Sequence, residues 1–237
     1  MKRKILLGLT TTPKSDWRGK VEEINKFKIK EAALFPTMLG LTEREELYKL
    51  LEKSCVEEIP HVHLRDDMKN WELDYFYKKY KTRLFNIHLT KEANNFIDKN
   101  KTHLKKIFVE NGFDAGKGYF CLLKKVAGVC LDVAHYHDLG ILQKIPTYAG
   151  FSEILKKYPI GCCHVSAIRE RPKSYNKWDI RDPSVKKIYG FHLLGDLSEL
   201  DYVKNYVRYL PEYISIELEN SFKDQIKAKK YLEKIIN

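Results

Sequence analysis

Seven of the eight histidines in this 237-residue chain close a short apolar run or follow one directly: His61 and His63, His88, His135 and His137, His164, and His192. Only His103 lies in a stretch that reads as an ordinary polar helix. Neutral imidazole binds first-row divalent metals, and residues ending separate strands can converge on one point. Carboxylates end similar runs: Glu110 in Ile-Phe-Val-Glu, Asp132 in Gly-Val-Cys-Leu-Asp, and Glu217 in Ile-Ser-Ile-Glu. Taken alone, a strand-end histidine is more often a hydrogen-bonded core or rim residue, and a lone glutamate pairs with a nearby lysine or arginine. The coincidence across separate strands is what reads as a metal centre, mononuclear or polynuclear.

The elements that must position these groups alternate along the whole chain. Apolar runs predict strands at Ile5–Thr10, Ala32–Phe35, Ile59–His63, Leu84–His88, Ile107–Glu110, Val129–Asp132, Ile160–His164 and Tyr213–Glu217. Helical signals lie between them: Thr42 with Glu45 as a capping box before Leu47, Leu50 and Leu51; Asn70 before Trp71, Leu73 and Phe76; Ser198 before Leu200, Val203 and Val207; Ser221 with Asp224 before the last helix. Helices between strands favour parallel pairing, so the fold class is α/β, a (β/α)8 TIM barrel formed by residues 1–237 as a single domain. Its chemistry sits at the carboxyl ends of the strands. An open doubly wound sheet is disfavoured because Leu9-Thr10-Thr11-Thr12-Pro13-Lys14 holds no glycine-rich phosphate loop. The segment from Val165 to Leu194 reads as a long loop after the seventh strand, placed to serve a substrate.

Residues i and i+2 of a strand face the same side, so His61 and His63 compete for one inward place, as do Glu217 and Glu219. The spacing favours His63 and Glu217 without closing either choice. In Asp132-Val133-Ala134-His135, the carboxylate ends a strand and the imidazole opens the next loop, so both can reach one ion or two adjacent ones. Arg65, just after His63, and Arg169 and Lys173, in the long excursion, are the cations expected to bind substrate.

Composition bounds the setting. With 43% hydrophobic and 12% aromatic residues the chain can bury one large core. The opening Met-Lys-Arg-Lys-Ile-Leu-Leu-Gly-Leu stops being apolar at Thr10, too short for a signal peptide or a membrane span, so it reads as a first strand. The five cysteines, Cys55, Cys121, Cys130, Cys162 and Cys163, lack paired spacing and predict free thiols, mostly in the core, in a reducing cytoplasm. A net charge of +11 would attract phosphate-rich partners such as DNA. Most of the excess, however, is lysine spread over helix faces, so charge alone is weak support for that partner.

The same residues resemble a known family, the xylose-isomerase-like barrels, and within it the endonuclease IV group of apurinic/apyrimidinic endonucleases. Ala33-Leu34-Phe35 looks like that group's second strand, His63 and His88 like the histidines ending its third and fourth, and Glu110 in Val-Glu-Asn like its bridging glutamate. Gly128-Val-Cys-Leu-Asp132-Val-Ala-His135 is similar to its sixth-strand motif. His164, Phe191-His192 and Ile216-Glu217 resemble its remaining ligands. The resemblance implies two or three Zn²⁺ ions: one held by His63, His88 and Glu110, a second by Glu110, Asp132, His164 and Glu217, a third partly by His135 and His192. It further implies hydrolysis of a phosphodiester in abasic DNA, or of a related phosphate ester, by metal-activated water, with Glu110 and Glu217 catalytic.

Several positions depart from that pattern. Thr10-Thr11-Thr12 replaces the group's His-Ser and glycine signature, and Val165-Ser166 replaces its Asn-Asp. Gly190 stands where an aspartate is expected two residues before His192, so one ligand of the third ion is missing unless Asp179, Asp182 or Asp196 supplies it. Leu64-Arg65-Asp66-Asp67 does not look like its DNA-penetrating loop. The alternative within the same superfamily is a sugar or sugar-phosphate isomerase or epimerase, with one Mn²⁺ or Mg²⁺ on Glu110, Asp132, His164 and Glu217. The two glutamates would then move a proton beside a carbonyl. A third reading, a barrel that binds metal without catalysis, is disfavoured by the full set of ligand types.

Overall fold

The structure, a computed structural model, describes residues 3–13, 15–112, 115–174, 185 and 187–236. The strands among these residues are β1 (Lys4–Thr10), β2 (Ala32–Phe35), β3 (His61–Leu64), β4 (Leu84–His88), β5 (Ile107–Glu110), β6 (Gly128–Asp132), β7 (Ile160–Val165), β8 (Ala167–Ser174), β9 (Lys187–Phe191) and β10 (Tyr213–Ile216). Eight of them close a barrel in the order β1-β10-β7-β6-β5-β4-β3-β2, every neighbouring pair parallel. The expected (β/α)8 architecture is therefore present. No helix among the described residues is long and apolar enough to cross a membrane.

Alternation along the strands sorts the side chains. Val62, Ile87, Val109, Leu131, Cys163 and Ile214 face outward and pack with the helices in one large buried cluster. Residues of the other parity point into the barrel. There Leu6, Ala33, Phe35 and Tyr213 form one small apolar group, and Phe108, Cys130 and Cys162 another. Phe108 fits only because Gly161 lies beside it: a Cβ on Gly161 would approach that ring to 2.2 Å.

Local boundaries differ from expectation for identifiable reasons. β3 starts at His61 rather than Ile59, because the Ile59 N–H donates to the Tyr80 carbonyl (3.0 Å) and Pro60 has no N–H to enter the ladder. The helix expected to start at Thr42 begins at Leu41, and Glu43 accepts a bond from the Gly40 N–H (3.1 Å), so the capping pair lies two residues upstream of Thr42 and Glu45. Ser221 and Asp224 do exchange the expected capping bonds ahead of the helix Phe222–Ile236. The segment Leu197–Tyr209 is a 3-10 helix capped by Asp196, whose Oδ1 accepts from the Ser198 N–H at 2.8 Å.

The excursion after β7 is a structured element rather than a loop. β8 and β9 pair antiparallel outside the barrel, Ala167 opposite Phe191. Asp138 ties this ribbon to the barrel's rim, its Oδ2 accepting the N–H groups of Tyr189 (2.8 Å) and Gly190 (3.0 Å).

Candidate metal centre

Neighbouring strands deliver a ring of donors to the carboxyl end of the barrel: His63, His88, Glu110, Asp132, His164 and Glu217. Glu110 is the centre of the ring. Its Oε1 lies 2.8 Å from His88 Nε2 and 3.9 Å from His135 Nδ1, while its Oε2 lies 3.0 Å from His63 Nε2 and 3.5 Å from His164 Nδ1. Three donor groups result, each with its ligand atoms within 4.8 Å of one another: His63 with His88 and Glu110; Glu110 with Asp132 and His135; Asp132 with His164 and Glu217. Because Glu110 and Asp132 each belong to two groups, the three form one continuous cluster. The strand ends that were read as possible ligands thus meet.

The side chains are set for coordination. His63 Nδ1 faces the Leu64 carbonyl at 2.8 Å, which fixes the proton there and leaves the Nε2 lone pair toward Glu110 and His88. Asp132 ends β6 and caps the next turn, its Oδ1 accepting the His135 N–H at 2.7 Å while Oδ2 lies 3.1 Å from His135 Nδ1. Asn111 holds the backbone of Asp132 from both sides, accepting its N–H (2.8 Å) and donating to its carbonyl (2.9 Å).

The electrostatics describe a site crowded with like charge. Burial raises the Asp132 carboxyl, and the carboxylates of Glu110 and Glu217 raise it further against the pull of His135. Burial also disfavours ionised Glu110, but His88, His164 and His63 more than compensate and hold it well below the usual range. For Glu217 the burial penalty is overcome by His192 and His164, bringing it down to about 2. Burial lowers His164, yet Glu110, Glu217 and Asp132 push it up to about 10. His88 is raised in the same way, by Glu110 and Glu217 against burial. In the metal-free cluster the carboxylates thus favour the protonated forms of His164 and His88, which serve as counter-charge. His164 Nδ1 is buried, 3.3 Å from Glu217 Oε2 and 3.5 Å from Glu110 Oε2, without hydrogen-bond geometry to either. An inward-facing nitrogen held among three carboxylates, paired to them by charge but poorly aligned for a hydrogen bond, fits a divalent cation of the zinc or manganese type.

Other expected residues fall into distinct places. His61 also points inward, one level below His63, so the two occupy successive floors rather than competing for one. Glu217 joins the cluster, whereas Glu219 lies beyond it and donates its N–H to the His192 carbonyl. His192 sits beside Glu217, its Nδ1 3.2 Å from that residue's carbonyl, but belongs to none of the three donor groups. His137 pairs with the Tyr206 hydroxyl (2.8 Å) and His103 with Asp74 (2.9 Å), both outside the cluster. Asp196 is occupied as a helix cap, and Asp179 and Asp182 lie outside the described residues.

Among the cations, Arg65 lines a cavity of about 130 Å³ with Thr37, His63, Asp66, His88 and Thr90. Its guanidinium is already engaged by Asp67 (2.9 and 3.2 Å) and by the Thr37 carbonyl. Arg169 and Lys173 flank the Phe191 ring on the β8–β9 ribbon, at 4.3 and 4.9 Å from its centroid, and Arg169 also pairs with Glu199 at 3.0 Å.

Sequence reasoning missed Asn86, Ser215 and Asn111. The signal for the first two was present: each lies two residues before a strand-end donor, His88 and Glu217, on the same side of its strand. Asn111 directly follows Glu110, where a polar residue reads as the start of a loop.

No protein-family model matches the chain, and no curated protein matches it. Solved structures do. A Bacillus anthracis protein described as the probable 3-DHS dehydratase AsbF of petrobactin synthesis superposes with a TM-score of 0.50 at 13% identity, over 98% of both chains. A xylose isomerase domain protein from Planctomyces limnophilus gives 0.49 at 10% identity, covering 98% of this chain and 94% of its own. The full-length match to the first is a likeness of fold, the (β/α)8 barrel that the sequence predicts. At these identities the chemistry must be argued from the site itself.

Proposed function

We propose that this protein is a divalent-metal-dependent hydrolase of phosphate esters, with two or more ions, Zn²⁺ first among them, gathered around Glu110. The observation that carries the reading is the presence of His63 and His88 within 3.0 Å and 2.8 Å of the two Glu110 oxygens. They form a donor group separate from Asp132, His164 and Glu217, and a one-metal enzyme has no use for it. Bound divalent ions supply Lewis acidity to a phosphoryl oxygen and acidify water. The chain supplies the rest. Glu110 presents Oε1 to His88 and His135 and Oε2 to His63 and His164, Asp132 orients His135, and Glu217, kept ionised by His192 and His164, is placed to accept a proton. Arg169 and Lys173 on the ribbon are the cations proposed to meet an anionic substrate, with Arg65 at the rim.

A second reading has its own support. Asp132, His164 and Glu217 form a compact group with Glu110 at its edge, enough for one Mn²⁺ or Mg²⁺. Glu110 and Glu217 could then shuttle a proton beside the carbonyl of a sugar or sugar phosphate. One experiment separates the two: incubate the metal-reconstituted protein with abasic-site duplex DNA, simple phosphodiesters, ketoses and sugar phosphates, and count bound ions. The hydrolase predicts ester cleavage and at least two ions. A single ion that survives His63→Ala, with turnover of a sugar, rejects it in favour of the isomerase.

A further inference from the structure

One floor below the donor ring, a chain of hydrogen bonds ends on Glu110. Ser215 Oγ lies 2.7 Å from His61 Nδ1, His61 Nε2 lies 2.9 Å from Asn86 Oδ1, and Asn86 Nδ2 donates to Glu110 Oε2 at 2.6 Å. Ser215, His61 and Asn86 are all fully buried.

The direction of every proton follows from the last link. An ionised Glu110 can only accept, so Asn86 must turn its amide N–H toward it and its amide oxygen toward His61. That oxygen also only accepts, which places the His61 proton on Nε2. His61 Nδ1 is then an acceptor, and the Ser215 hydroxyl donates to it. Reversing Asn86 would set its amide oxygen against the Glu110 carboxylate, a contact with no donor, so the Glu110 end fixes the direction. His61 also lies near Cys130 and His164, close enough for the three to hold an ion. Both of its ring nitrogens are taken, so this lower floor works as support.

We propose that Asn86, itself fixed by His61 and Ser215, is a positioning residue for Glu110. It holds Oε2 toward His63 and His164 and thereby leaves Oε1 toward His88 and His135, the orientation in which each carboxylate oxygen faces one histidine from either side of the ring. The consequence for metal binding rests on the metal-centre reading above; the bond directions rest on the hydrogen bonds alone.

Two readouts test this. In the first, ¹⁵N NMR of the metal-free wild type, with the His61 signals assigned by their loss in His61→Gln, should show the proton on Nε2. In the second, Zn²⁺ affinity is measured by competition with a chromophoric chelator. Asn86→Leu keeps the side-chain shape but removes both amide functions, and should bind Zn²⁺ at least about tenfold more weakly, as loss of an outer-shell partner does. His61→Leu should fall likewise. His61→Gln can still donate to Asn86 and accept from Ser215, so it should stay within about threefold of wild type. Should Asn86→Leu fail to fold by circular dichroism, the His61 pair carries the affinity test. An Nδ1–H tautomer overturns the proposal, as does a folded Asn86→Leu that binds Zn²⁺ as wild type does. A wild type that binds no Zn²⁺ refutes the metal-centre reading instead, and the tautomer alone then decides the hydrogen-bond chain.

Discussion

Two buried charged clusters in this molecule solve the same problem differently. Between the helices Leu41–Glu52 and Asn70–Lys79, Arg44 is wholly buried and meets Glu72 in a two-pronged pair at 2.8 and 3.0 Å. Its remaining donors reach the Leu39 carbonyl (2.9 Å) and Asp67 (3.2 Å), and the Tyr48 hydroxyl donates to Glu72 at 2.6 Å. Cation meets anion and each polar edge has a partner, so the cluster is complete as it stands. At the barrel mouth, by contrast, three carboxylates crowd together and the compensating charge is carried by imidazoles that can give it up. A buried cluster that closes on itself holds a fold together; one balanced only by removable protons is built to receive another cation.

Breaking the first cluster should have the largest effect on folding and none on the site. Arg44→Met leaves Glu72 buried without its partner, and urea unfolding should show a loss of about 3–5 kcal/mol with the number of bound ions unchanged. Altered metal binding in that variant would erase the contrast. Breaking the second should do the reverse. Glu110→Gln removes the shared carboxylate and should weaken metal binding by more than about a hundredfold, beyond the loss usual for an outer-shell partner, and abolish turnover under either reaction. Its chief effect should be on the site; the metal-free fold loses only the pairing that His88, His164 and His63 give the ionised Glu110, and unchanged metal affinity would contradict the contrast.

A smaller effect sharpens the comparison through pH. His164, at about 10 against an ordinary value of 6.5, stabilises the metal-free fold fully below 6.5, and that contribution is lost as pH rises through about 10. Glu217, at about 2 against 4.5, contributes above 4.5, and its share is lost as pH falls through about 2. The metal-free protein should therefore lose stability between pH 6.5 and 10, while the metal-loaded protein, with the cation in place of the proton, should lose less. Identical pH profiles with and without metal would count against the exchange.

The barrel was legible because each strand advertised itself as an apolar run, six of the eight with a donor at or beside the end, and a closed parallel sheet brings such ends together whatever their separation along the chain. His63, His88, Glu110, Asp132, His135, His164 and Glu217 were readable for the same reason. What the sequence hid lies where one signal carries two meanings. Alternation told that His61 and His63 share a side, but not that the barrel is deep enough for both. The same rule, applied two residues before His88 and Glu217, would have found Asn86 and Ser215, whose amide and hydroxyl carry no chemistry of their own. The β8–β9 ribbon was read as a loop because Arg169-Glu170-Arg171-Pro172-Lys173 offers no apolar alternation, and an antiparallel pair outside the core does not need it. The engagement of Arg65 by Asp67 depends on a turn whose geometry two adjacent charges do not reveal.

Anomalous diffraction from crystals soaked in Zn²⁺ tests the central claim most directly. The account predicts ion peaks at the barrel mouth, about 2.0–2.2 Å from the Glu110 carboxylate and from nitrogens of the histidines around it. Peaks only at surface histidines, or none near Glu110 in crystals that bind Zn²⁺ elsewhere, would contradict it.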